Sequence, residues 1–94
     1  MSTYISLFRF TEKGAKSAKQ SVKRSKAFEK AAAKAGVKVV GKYWTIGAYD
    51  GVLILSAKKS EQALRCLADL AATGNVTVQT QTAFNEKEFQ KIVG

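Results

Sequence analysis

The chain contains no histidine, no proline and one cysteine, Cys66. Without histidine the commonest general base is missing, and with it the commonest ligand for zinc, copper and haem. A Ser-His-Asp or Cys-His catalytic pair cannot form within one chain. A single cysteine excludes an internal disulfide framework and is compatible with a cytoplasmic setting. No apolar run approaches the roughly 20 residues that span a bilayer. Met1-Ser2-Thr3 leads directly into an apolar, strand-like stretch. It lacks a basic region and a small-residue cleavage site, so no signal peptide is expected. Acidic residues are scarce where basic ones concentrate. Residues 9–42 hold 11 of the 16 Lys and Arg against only Glu12 and Glu29, so the net charge of +9 lies in that segment.

What remains is a chain of 94 residues, 46% of them hydrophobic, which suits one domain with one core over residues 1–94. Thr3–Phe10 is aromatic and β-branched and reads as a strand. Thr11 is placed to N-cap a helix, and Gly14 weakens the turn that follows. From about Gly14 to Ala35 alanine and lysine dominate, which predicts one long helix stopped by Gly36. Val37–Thr45 and Gly51–Ala57 are strands close enough to form an antiparallel hairpin. Ser60 caps a helix over roughly Glu61–Ala72, with Gly74 as its stop. Asn75–Phe84 is a fourth strand. Asn85 and Glu88 have capping-box spacing for a short C-terminal helix.

The order β-α-β-β-α-β plus a terminal helix predicts an α+β, ferredoxin-like antiparallel sheet with two helices on one face. Strands one (Tyr4, Phe8, Phe10 and Ile5, Leu7) and three (Val52, Ile54 and Leu53, Leu55) are apolar on both faces and belong in the centre. Strand two carries Lys38 and Lys42 on one alternating face, and strand four carries Thr77, Gln79 and Gln81. These polar strands suit the edges. Two helices cover one sheet face, so the other is left apolar. Such a patch marks an interface more often than a bare surface. Face-to-face self-association, as in dimeric α+β barrels, is the expected solution. The alternative is a C-terminal helix folded across that face through Phe89, Ile92 and Val93.

At 100° per residue, Lys16, Lys19, Lys23, Lys26, Lys30 and Lys34 fall on one side of the predicted first helix. Ala18, Val22, Ser25, Phe28, Ala32 and Ala35 lie opposite. Two readings of this stripe stand open. It is a solvated face, or it attracts polyanions such as nucleic acid or an acidic partner. The apolar side is mostly Ala and Ser, so membrane insertion is not expected. Specific RNA readout is disfavoured, because strand three (GVLILSA) has no aromatic residue on which to stack a base.

Tyr43-Trp44-Thr45-Ile46-Gly47-Ala48-Tyr49-Asp50-Gly51 is the most distinctive stretch. With Thr3-Tyr4-Ile5-Ser6-Leu7, Gly74-Asn75-Val76, Ala83-Phe84, Glu88-Phe89 and Lys91-Ile92, it resembles the GYD family over essentially the whole length. The resemblance implies a ferredoxin-like, oligomer-forming domain and no activity. In that family a proline often interrupts the first helix near the position of Val22. Here none is present, so the helix is expected to run unbroken, and its dense lysine stripe is unusual for the family.

In physical terms, Gly47 and Gly51 permit unusual backbone angles and Asp50 can fix the turn. The block is explained by hairpin register alone. It also offers a candidate small-ligand site at Tyr43, Trp44, Tyr49 and Asp50, completed by Arg9 or a second subunit, because aromatic walls with a few polar groups suit organic ligands. Cys66, on the flank of the apolar face Leu64, Leu67 and Ala71, reads as a structural thiol. No cofactor or metal is called for. The residues favour a non-catalytic oligomeric domain that binds a small molecule, with a polyanion-binding module and a cofactor-free dimeric α+β barrel enzyme as alternatives.

Overall fold

The computed structural model describes residues 1–94. Four strands, β1 (Ser2–Phe10), β2 (Val37–Trp44), β3 (Gly51–Ala57) and β4 (Val76–Ala83), form one antiparallel sheet in the order β2-β3-β1-β4. The helices are α1 (Glu12–Lys16), α2 (Ser21–Lys34), α3 (Ser60–Ala72) and α4 (Glu86–Val93). The fold is therefore α+β with ferredoxin-like strand order, and the two strands that are apolar on both faces occupy its centre. No helix is long and apolar enough to cross a membrane.

Register separates the two sheet faces. On the helix side Tyr4, Phe8, Leu53, Leu55, Ala57, Val37 and Val76 are buried against Ala32 of α2 and Ala63, Cys66 and Leu67 of α3. Ser6 is the one polar residue there; it is fully buried and hydrogen-bonds Thr80 at 2.9 Å. On the other side Ile5 stands opposite Ile54, and Leu7 opposite Val52. All four are only half-buried.

Some sequence expectations fail, each for a physical reason. First, the helix after β1 is broken. α1 ends at Lys16, a 3-10 turn covers Ala18–Gln20, and α2 begins at Ser21. The two halves are held to different places. Thr11 donates from N to Asn75 O at 3.0 Å and from Oγ1 to Gly74 O at 2.6 Å, which fixes α1 to the entry of β4. Gly14 is buried against the Asn75 backbone, where a Cβ would overlap the carbonyl, so this glycine allows a close approach. α2 instead follows the sheet. The bend falls at Ser17, whose Oγ donates back to Lys13 O at 3.1 Å, a bond that bends helices.

Second, β2 carries a bulge between Val39 and Gly41. Two residues there oppose one, which shifts the face of everything beyond. Lys38 and Lys42 consequently lie on opposite faces, and Lys42 reaches over the helix side to Glu29 at 2.7 Å. Third, α3 turns Ala63, Cys66, Leu67 and Leu70 toward the core and leaves Leu64 69% exposed. Burial pushes the Cys66 thiol above its ordinary range; nearby Asp69 adds to this and Arg65 opposes it. The alternative cover for the open sheet face is not adopted: α4 does not fold across it. It has the expected capping box, with Glu88 N to Asn85 Oδ1 at 2.8 Å and Asn85 N to Glu88 Oε1 at 2.9 Å. It buries none of its residues, and Phe89, Ile92 and Val93 are 56–62% exposed.

Candidate functional site

A cavity of about 340 Å³ lies between α2, α3 and the helix side of the sheet. That volume lies at the small end of the roughly 300–1,000 Å³ range of ligand pockets. Seventeen residues line it, ten of them hydrophobic, so its character is apolar. Phe8, Phe10 and Leu53 come from the sheet, Phe28 and Ala31 from α2, and Leu70 from α3. The Phe8 and Phe10 rings meet edge to face with centroids 5.8 Å apart, a favourable aromatic geometry that fixes one wall.

The polar lining groups are few and mostly engaged. Trp44 Nε1 donates to Ser21 Oγ at 2.9 Å, tying the end of β2 to the first turn of α2. Lys42 is paired with Glu29. Asn75 accepts from Thr11 through its backbone carbonyl. Asp69 is exposed and takes part in neither of the chain's two ion pairs, Lys42–Glu29 and Lys16–Glu12. Arg24 donates from Nη1 to Ser17 O at 3.0 Å and Ser17 Oγ at 3.1 Å, while its Nη2 is buried without an acceptor.

The five residues proposed from sequence divide into two groups. Tyr43 and Trp44 line the cavity. Arg9, Tyr49 and Asp50 do not; they bind the hairpin tip to the sheet. The Arg9 guanidinium lies 4.5 Å from the centre of the Tyr49 ring, and its Nε donates to Ala48 O at 2.7 Å. The Tyr49 hydroxyl donates to Gln79 Oε1. Asp50 Oδ2 accepts from Phe10 N at 2.8 Å, and Asp50 N donates to Phe8 O at 2.8 Å. Each of these groups is already partnered.

The six stripe lysines are all exposed. Lys16 and Lys19 fall in α1 and the 3-10 turn, so only Lys23, Lys26, Lys30 and Lys34 share α2. None of the six lines the cavity.

Sequence reasoning missed Arg24. The signal was its phase. With Ser21, Ser25, Phe28 and Ala31 it recurs at three- and four-residue steps on one side of α2, and all five line the cavity. It is the only charged residue of that set. The unbroken-helix assumption hid it by setting the inward face around Ala18 and Val22, which are both exposed.

The chain matches the family model described as GYD domain over residues 4–93. No curated protein and no solved structure matches it.

Proposed function

The chain thus belongs to the GYD domain family, and on that premise we propose that it is a self-associating domain that holds a small organic molecule in the cavity beneath α2. The cavity itself carries this reading. A domain of this size normally fills the space under its helices, because interiors are close-packed. Here Phe8, Phe10, Phe28 and Trp44 surround open volume. Binding fits better than catalysis, because Asp69, the one carboxylate in the lining, is exposed rather than held in a desolvated setting.

The test uses an uncharged aromatic probe, naphthylmethanol. At about ten times its Kd, binding to the native state adds about 1.4 kcal/mol of stability. For a domain this small, that is a rise in Tm of about 5–10 °C. Ala31→Trp places an indole at the cavity wall and should remove the rise without lowering the starting Tm. An unchanged Tm up to the solubility limit of naphthylmethanol, and of the corresponding acid naphthoate, would sink the binding reading.

The uncompensated lysines support a second reading, weak binding of polyanions. If the four lysines of α2 contact a DNA duplex, affinity should fall about 100-fold between 50 and 200 mM salt. Retention on duplex DNA at increasing salt measures this. Reversal of Lys23, Lys26, Lys30 and Lys34 to Glu should abolish the retention. If those lysines only keep the chain dissolved, there is no retention to lose even at low salt.

A further inference from the structure

We propose that the ligand of the cavity is an organic carboxylate, with an apolar, ring-sized body against the phenylalanines and its carboxylate on Arg24. The proposal rests on the binding reading above and adds the chemical class of the ligand. It starts from one atom. Arg24 Nη2 is buried and has no hydrogen-bond acceptor, the one such side-chain atom in the protein. A guanidinium stays charged at any ordinary pH. Buried donors in native structures are almost always paired, and a charged one left alone is strongly disfavoured. Arg24 lines the open cavity, so a turn of its guanidinium toward that space brings the unpaired donor to an acceptor that arrives with a ligand.

The chain's own carboxylates do not serve. Glu29 is taken by Lys42 at 2.7 Å and Glu12 by Lys16 at 3.3 Å. Asp50 is committed to Phe10 N at 2.8 Å. Asp69 lines the same cavity and forms no ion pair with Arg24. The guanidinium is also pre-positioned. Its Nη1 is held by both oxygens of Ser17, at the bend between α1 and α2.

Charge arithmetic selects the class of anion. Arg24 is the one lining cation without a counter-charge, since Lys42 is neutralised by Glu29. One free positive charge matches a monoanion better than a phosphate monoester, which carries about −1.5 to −2 near neutral pH. A carboxylate also has the planar, two-oxygen geometry that a guanidinium fork accepts best. Asp69 contributes a negative charge from α3. It repels an anionic group placed near it and so favours one orientation of the ligand. The remaining lining, Phe8, Phe10, Phe28, Leu53 and Leu70, asks only for an apolar body.

The experiment compares naphthoate with naphthylmethanol, the same ring system with and without a carboxylate, by titration calorimetry on the full chain. Naphthoate should bind the native protein at least tenfold more tightly than the alcohol. Arg24→Gln should remove that preference, costing naphthoate about 10- to 100-fold while leaving the alcohol within about threefold; the range follows from a hydrogen bond to a charged group. Arg24→Lys keeps the charge but not the fork and should fall between. Asp69→Asn should hold or tighten naphthoate. The comparison of the two probes on the unaltered protein does not depend on whether any variant folds. Equal affinity for acid and alcohol overturns the carboxylate assignment and leaves the cavity reading standing. Binding of neither overturns both.

Discussion

Gly51→Ala should destabilise the domain by about 3 kcal/mol or more, the upper end of the cost of overpacking a core. In a domain this small that is a fall in Tm of some 15–30 °C. Gly51 does not adopt a positive φ; the glycines that do are Gly36, Gly47, Gly74 and Gly94. Its requirement is for space. A Cβ at Gly51 would overlap the Phe8 ring and lie 2.5 Å from Tyr43 O. Phe8 is 7% exposed, belongs to the core and forms a wall of the cavity, so it has nowhere to retreat. The Tyr43 carbonyl is backbone and moves only with β2.

Gly47→Ala makes the contrast. Gly47 has φ 138°, and a Cβ there meets nothing within 4 Å. The cost is backbone strain alone, about 1–3 kcal/mol. A Gly51→Ala, Phe8→Leu double variant should recover part of the loss, because the two sites are in contact and cannot be additive. Its recovery stays incomplete because the Tyr43 carbonyl is still in the way. Thermal or urea unfolding of the three variants measures this ordering. A Gly51→Ala protein as stable as Gly47→Ala would refute the steric account.

These two glycines show what the sequence could and could not disclose. Their places between two strands announce the hairpin, and β3 falls at Gly51–Ala57 as its composition predicts. That Gly47 supplies an angle while Gly51 supplies room depends on Phe8, forty-three positions earlier, and no local pattern carries that information. The same division holds elsewhere. Strand order follows from which strands are apolar on both faces, a property each strand displays alone. The bulge at Val39/Gly41 changes which way Lys42 points, yet a bulge adds no residue type that alternation would reveal. The break at Ser17 arises because α1 is tied to Gly74 and Asn75, near the far end of the chain. Alanine and lysine are good helix formers, so propensity favoured continuity and tertiary anchoring overrode it. The cavity was the least legible feature, because its walls come from β1, α2, β2, β3, α3 and β4, segments that no local pattern joins.

The second large effect concerns the open face of the sheet. The protein should be a dimer or larger at micromolar concentration, and Ile54→Lys should convert it to monomer. A folded monomer of 10.2 kDa is expected to expose about 5,300 Å². This chain exposes 6602 Å², roughly 1,300 Å² more. Its radius of gyration is 13.8 Å, where a compact chain of this length has about 12.4 Å. The excess surface exceeds the roughly 800 Å² that each partner contributes to a standard interface. It has two visible sources, the face bearing Ile5, Leu7, Val52 and Ile54, and the unpacked α4 with Phe89, Ile92 and Val93. A second copy of this chain satisfies both at once, since each copy presents one such face and one such helix.

Ile54 lies at the middle of that face, opposite Ile5 on β1 and Gly41 on β2. A lysine there leaves the helix-side core untouched. At a sheet-to-sheet interface it would bury an unpaired charge, costing several kcal/mol and weakening association by about 1,000-fold or more. Removal of residues 85–94 separates the two sources. None of the residues of α4 is buried in its own chain, so the truncated domain should keep its fold. If α4 docks on the partner, the truncated domain should also associate more weakly. Sedimentation equilibrium on the three proteins gives the answer. A wild-type chain that stays monomeric into the hundred-micromolar range would overturn the prediction, and the excess area would then belong to some other partner.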